Sequence, residues 1–232
     1  VTLPYGTSTI TLVVNDGKVD SSPDTADITV QDTTPPALTL SSNSVTVVLP
    51  TASAPGASVN VLTASGASAT DLCCESAPTL SPAGTSNYAV GTTTAMITAS
   101  DCYANISEAK PFNVNVVYNF AGFFPPIRMD GTSIFRSGRT VPVKFQLTAA
   151  DGSIVSNATA TLAVAKVSNA VIGVFEEAEA SGASNLDNLF RYDPTSGQYI
   201  YNLNTSGYTA GTYVLRATLN DGTDHDVYVS VR

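Results

Sequence analysis

Few side chains in this chain can do chemistry. It has one histidine, His225, flanked by Asp224 and Asp226, and three cysteines, Cys73, Cys74 and Cys102. Most nucleophilic, acid–base and metal chemistry draws on those two residue types, so an enzyme is not expected here. An imidazole between carboxylates can act as a base, yet no nucleophile elbow and no second histidine accompany it. His225 therefore reads as a solvated residue just past the turn at 220–223. Glu176, Glu177 and Glu179 could form a carboxylate pair for glycoside hydrolysis, but a local acidic run more simply marks a solvated loop.

Cys73 and Cys74 adjoin, and Cys102 lies about 28 residues on. A bridge from Cys102 to either one would close a loop contributing roughly 3 to 4 kcal/mol in the chain-entropy model, and would indicate an oxidising compartment. Which of the pair takes part is open, and the third thiol is either inert or links to another chain. Zinc is not expected, because the thiols lack CxxC spacing and a nearby histidine. Calcium is the sharper expectation, since it takes six to eight oxygens from carboxylates and carbonyls. Asp32 in a Pro-rich linker, Asp71, and Asp101 with Asn105 in the run SDCYANIS are the candidate ligands. The competing reading is ordinary turn and capping Asp and Asn. No other cofactor is indicated.

Turn geometry places a row of aromatic rings. With a four-residue loop at 194–197, Asp193 faces Gln198, Tyr192 faces Tyr199, and Phe190 faces Tyr201. The rings share one face, which reads as core; a sugar-stacking platform of Tyr192, Tyr199 and Tyr201 is the alternative. In VPVKFQL the residues Val141, Val143, Phe145 and Leu147 point inward, and Pro142, Lys144 and Gln146 outward. Pro142 cannot donate to a ladder and suggests an edge or a bulge. Lys144 reads as solvated or ion-paired rather than as half of an isopeptide cross-link. Sequons stand at Asn105, Asn157 and Asn204.

The elements that must position these residues are almost entirely β. Period-two runs punctuated by Gly, Pro, Ser and Asn predict an all-β chain of tandem Ig-like antiparallel β-sandwich domains. Residues 7–14 and 24–30 form a hairpin, and Asp32 to Pro36 (DTTPP) breaks pairing and reads as a linker. A hairpin alone is marginal in water, so either a domain begun upstream or another chain completes its sheet. The runs ALTL, SVTVVLP, ASVNVLTA, TTTAMITAS and PFNVNVVY then make one sandwich, and residues 119–232 make another. Only 178–188 lacks β pattern and suits a solvated loop or a short helical turn.

With 43% hydrophobic residues among 232, the chain can bury a sizeable core, and its size suggests two domains. Only 12% of residues are charged, a composition that suits extracellular β-proteins. A net charge of −9 argues against nucleic acid and anionic membranes as partners. No run of about 18 apolar residues appears, so membrane insertion is not expected, and the chain does not open on a signal peptide.

Three stretches carry a family resemblance. PYGTSTITLVVNDG with DTADITVQDTTPP resembles the last strands and exit linker of PKD-like or cadherin-like repeats of bacterial surface proteins. ATDLCCE, YAVGTTTAMITASD and NVNVVY are similar to the hyalin-repeat type of Ig-like module. Ile97 stands where that pattern has a Cys, so its disulfide pairing does not carry over. YNFAGFFPPI, GRTVPVKFQL, FRYDPTSGQYIYNL and LNDGTDHDVYV resemble the PxKF domain of secreted bacterial proteins, the motif being Pro142, Val143, Lys144 and Phe145. The resemblance implies units at 1–34, 35–118 and 119–232 and a secreted or cell-surface location. The expected role is non-catalytic: a structural or adhesive module whose partners are protein subunits or surface ligands, including assembly into a filament by strand addition between subunits. An accessory spacer or polysaccharide-binding module behind a secreted hydrolase is the alternative.

Overall fold

Alternation of apolar and polar side chains is realised as strands along nearly the whole chain in a computed structural model, which describes residues 2–74, 76–183 and 185–232. Glu75 of the ATDLCCE motif and Ser184 of the 178–188 segment lie outside the described residues. The architecture is all-β, with tandem antiparallel β-sandwiches of the Ig-like kind. Among the described residues no helix is long and apolar enough to cross a membrane.

Strands Gly6–Leu12 and Asp24–Val30 pair antiparallel, Gly6 opposite Val30 and Leu12 opposite Asp24. One face is polar and laced by Thr7 with Thr29 at 3.1 Å and by Thr9 donating to Asp27 at 2.6 Å. The other face carries Ile10, Leu12 and Ile28, all exposed, so among the described residues no second sheet covers it. Beyond Leu12 and Asp24 the pairing continues to a bridge between Asn15 and Asp20, with Ser21 N–H donating to Val14 O at 2.7 Å, so a tight turn at 16–19 closes the hairpin.

In the first sandwich, strands run Ser44–Val48, Lys110–Val117, Gly91–Ser100, Thr79–Ser81 across one sheet. The pairs Ala37–Thr39 with Ser68–Thr70 and Ala57–Val59 with Ser86–Tyr88 form the rest. Ile97, Ala99, Phe112, Val114 and Val116 from the large sheet meet Leu38, Val59 and Val61 in the core. The run ASVNVLTA is not one strand as its alternation predicts. After Val59 it turns into a short helix, Val61–Ser65, because the Asn60 side chain accepts from the N–H groups of Leu62 and Thr63, and Gly66 closes the helix at φ 59°.

In the second sandwich, Asn119–Phe123, Thr140–Thr148, Gln198–Asn204 and Arg191–Asp193 form one sheet. Ser133–Phe135, Asp224–Val231, Gly211–Leu219, Ala160–Ser168 and Val171–Ile172 form the other. Val141, Val143, Phe145 and Leu147 are buried as the alternation demands. Pro142 pairs only with Asn202, since Asn119–Phe123 reaches no further than Phe145, so the missing N–H faces no neighbour. Two pairings depart from the antiparallel rule: Ser44–Val48 on Lys110–Val117 and Ser133–Phe135 on Asp224–Val231 are parallel. The described residues of 178–188 form a largely exposed loop with turns, as expected, pinned at two points. Ala178 is buried, and the Tyr201 hydroxyl donates to the carbonyls of Ala178 and Asp187.

The two sandwiches meet through direct hydrogen bonds. Ala150 N–H donates to Leu49 O at 2.8 Å, Ala52 N–H to Ser153 Oγ at 2.8 Å, and Tyr118 N–H to Asp221 Oδ2 at 2.8 Å. Asp221 is buried with both oxygens satisfied, because Thr223 gives its N–H and hydroxyl to Oδ1. His225 is not a solvated turn residue. Its ring stacks on Phe120 at 3.9 Å and 13°, and burial lowers its pKa below the ordinary imidazole value against the pull of Asp221.

Candidate metal centre

Three aspartates far apart in sequence converge where the linker meets the first sandwich. Asp32 comes from the linker, Asp71 follows strand Ser68–Thr70, and Asp101 follows strand Gly91–Ser100. Each sits in a turn that it caps itself. Asp32 Oδ1 accepts from Thr34 N at 2.9 Å, Asp71 Oδ1 from Cys73 N at 2.8 Å, and Asp101 Oδ1 from the N–H groups of Tyr103 and Asn105 at 2.9 and 2.8 Å. Such caps are what Asp does in turns, and they engage only one oxygen of each carboxylate. One oxygen from each, together with Cys74 Sγ, lies within 4.8 Å of all the others.

One of those carboxylates is anomalous. Asp32 is 8% exposed, and its Oδ2 is buried with no hydrogen-bond partner. A buried acceptor left unmade costs about 1–3 kcal/mol, and more when charged. Each pair of carboxylates at such separations also repels by roughly 3 kcal/mol at an effective dielectric of about 20. No side-chain cation relieves this, since among the described residues the ion pairs are those of Arg216 with Asp224 and Asp226. Burial works to raise the Asp101 pKa, but hydrogen bonds from the Asn105 side chain and from backbone N–H groups outweigh it and hold the carboxyl below the ordinary range. Asp101 therefore stays anionic within the cluster.

The donor set fits a hard divalent cation. Calcium–oxygen distances of about 2.3–2.6 Å put opposite ligands about 4.6–5.2 Å apart, so the carboxylate oxygens fit one coordination sphere, with water completing it. Zinc does not fit, because Cys74 Sγ is bonded to Cys102 and no histidine lies in the cluster. Asn105 braces the ligands: its Nδ2 donates to Asp101 Oδ2 at 2.9 Å and to Asp32 O at 3.1 Å. This sequon side chain ties the sandwich to the linker.

The disulfide is Cys74–Cys102, and Cys73 is the free thiol. Tyr5, at the base of the hairpin, packs its ring on Tyr103 at 5.1 Å, and a hydrogen bond with Cys73 pushes its phenol up to about 12. Asp101 adjoins Cys102 in the chain, and Asp71 lies two residues before Cys73.

The remaining candidates do not assemble into a site. Tyr199 and Tyr201 are buried against Phe145 and Phe190, and half-buried Tyr192 packs on Tyr199 at 5.3 Å, so the three rings present no common platform to a sugar. The registers Asp193–Gln198 and Tyr192–Tyr199 are those the turn requires. Glu176 and Glu177 are exposed on a short strand against Val164 and Ala163. Lys144 is half-buried between its inward neighbours.

No protein-family model and no curated protein matches the chain. Among solved structures it is similar to the Yersinia pseudotuberculosis adhesin InvE, at 12% identity and TM-score 0.34, covering 87% of this chain and 60% of that one. Extracellular domains 3–5 of Drosophila OTK match at 13% identity and TM-score 0.34, covering 91% of this chain and 64% of that one. Domains 4 and 5 of the S-layer protein SbsC match at 12% identity and TM-score 0.27, covering 72% and 90%. The chain thus spans less than two thirds of the length of the first two.

Proposed function

We propose that this chain is a non-catalytic segment of a secreted or cell-surface protein, a stalk of β units at 1–34, 35–118 and 119–232, whose first joint is locked by calcium. The observation that supports this reading is the buried Asp32 carboxylate, whose Oδ2 has no partner and which clusters with carboxylates from two loops of the next unit. Bound calcium neutralises the cluster and couples the linker to the sandwich, converting a flexible joint into a stiff one. Extracellular calcium suits such a site, since modules outside the cell bind with dissociation constants of about 0.1–1 mM. The stalk holds an adhesive or assembly surface away from the cell and engages protein subunits or surface ligands. Isothermal titration with calcium and with magnesium tests this: saturable one-site calcium binding, abolished in Asp32→Asn, is expected. Heat identical to that of buffer dilution refutes it.

A second reading concerns assembly. The hairpin's uncovered apolar face, with Ile10, Leu12 and Ile28, favours completion of its sheet by strands from another polypeptide. Sedimentation velocity over a hundredfold concentration range is expected to show reversible association that Ile10→Thr/Leu12→Thr removes. A monomer throughout refutes it.

A further inference from the structure

The disulfide lies in the wall of the cation site. Cys74 Sγ falls within 4.8 Å of the carboxylate oxygens, and Cys102 immediately follows Asp101. The loop bearing Asp71 leaves strand Ser68–Thr70 and rejoins the sheet only at Thr79, opposite Ser100. Between those anchors Leu72, at the loop tip, is fully exposed, so its side chain packs on nothing. What joins that tip to the Asp101 loop is the Cys74–Cys102 bond, with Cys102 N–H donating to Cys74 Sγ at 3.1 Å.

We propose that the Cys74–Cys102 bond and the cation are thermodynamically linked: the bond positions Asp71 against Asp101 for the ion, and the bound ion in turn protects the bond from reduction. The inference rests on reading the carboxylate cluster as a calcium site. Cys74 and Cys102 are positioning residues, since neither sulfur ligates calcium. Cutting the bond with a dithiol transfers two electrons and two protons to the two sulfurs, while the reagent's own sulfurs join in a cyclic disulfide. The freed loop must then be ordered again before Asp71 can reach the ion, which lowers affinity. Linkage makes the effect reciprocal, so the factor by which reduction weakens calcium binding equals the factor by which calcium resists reduction. A loss of about 10–100-fold is the size found when groups that orient metal ligands are removed.

The test uses the whole chain equilibrated in dithiothreitol redox buffers, with excess calcium or with chelator. Acid quenching, alkylation and peptide mass spectrometry then read the fraction of Cys74–Cys102 bonded. Calcium is expected to shift the midpoint ratio of dithiol to disulfide by about 10–100-fold. The shift should vanish in Asp32→Asn, which leaves both cysteines in place. Titration calorimetry on Cys74→Ser/Cys102→Ser is expected to show affinity lower by the same factor, and reduced wild type supplies that number should the variant not fold. Cys73→Ser is run in parallel, because a vicinal thiol can capture Cys102 by exchange. Equal calcium affinity of oxidised and reduced chains, with an unmoved midpoint, overturns the linkage while leaving the calcium site standing. Failure of the oxidised chain to bind calcium overturns both.

Discussion

Asp32→Asn should reverse its effect on stability according to whether calcium is present. The wild-type carboxylate is buried with Oδ2 unpartnered and with two like charges nearby. Removing its charge relieves up to roughly 3 kcal/mol of repulsion per neighbour at an effective dielectric of about 20. The nearly isosteric amide retains the cap on Thr34 N through its oxygen. In chelator the variant should therefore be more stable than wild type by about 1–3 kcal/mol, the cost of the unmade group. With calcium at about a hundred times its dissociation constant, wild type gains about 2.7 kcal/mol by mass action while the variant gains little. For a unit of about 80 residues that gain raises Tm by roughly 10–20 °C. Thermal unfolding followed by circular dichroism, in chelator and in 10 mM calcium, reads all four states. If wild type melts at the same temperature in both buffers, and the variant melts lower in both, the carboxylate is an ordinary structural cap and the reasoning fails.

Other consequences follow from buried polar groups. His225 has its folded pKa lowered below 6.5 by burial, so the unfolded chain binds the extra proton first, and stability present above pH 6.5 is lost progressively as pH falls through that value towards the folded pKa. Urea midpoints between pH 7 and 5 should fall in wild type and stay level in His225→Phe, which keeps a ring against Phe120. Asp101, with its pKa below 3.8, contributes stability that is present above that value and lost only as pH drops through the lowered folded value, so Asp101→Asn should flatten the acid limb below pH 4. Tyr199→Phe strands the Ala158 N–H that the hydroxyl accepts at 2.9 Å, and should cost about 1–3 kcal/mol in urea unfolding with the fold unchanged.

How much of this was legible in the sequence depends on the range of the physics. Strand identity and inward faces follow from period two, which is local: Val141, Val143, Phe145 and Leu147 lie buried because alternate side chains share a face. The aromatic registers were equally local, fixed by the turn at 194–197. The helix at 61–65 carried its own signals, Asn60 as a cap and Gly66 at the stop, but alternation in ASVN masked them. Asp32, Asp71, Asp101 and Asn105 were nameable as oxygen donors. Their convergence depends on which loops the sheet order brings to one end, and no spacing rule encodes that. For the same reason spacing left open which of Cys73 and Cys74 pairs with Cys102. The stack of His225 on Phe120 is likewise a matter of packing between the two sheets of the second sandwich, invisible in a turn read by itself.

The two joints solve the same problem with the same residue type in opposite ways. At the second joint Asp221 is buried, and protein donors saturate it: Thr223 takes Oδ1 and the Tyr118 N–H takes Oδ2. Its charge is met by oriented dipoles that travel with the chain, so this joint holds whatever the ionic surroundings. At the first joint Asp32 has one oxygen capped and the other unmet, and its neighbours bring more negative charge in place of donors. Asn105 and the Tyr5–Tyr103 contact brace this joint from within, but the charge of its carboxylates must be met from outside the chain. Chelation should loosen the stalk at one place only: spin labels at Thr11 and Thr46 should show a distance distribution that broadens in chelator and narrows with calcium. Labels at Thr46 and Lys166 should give the same distribution in both buffers. Broadening of both pairs would mean that the second joint also depends on the ion, against the complete hydrogen bonding of Asp221.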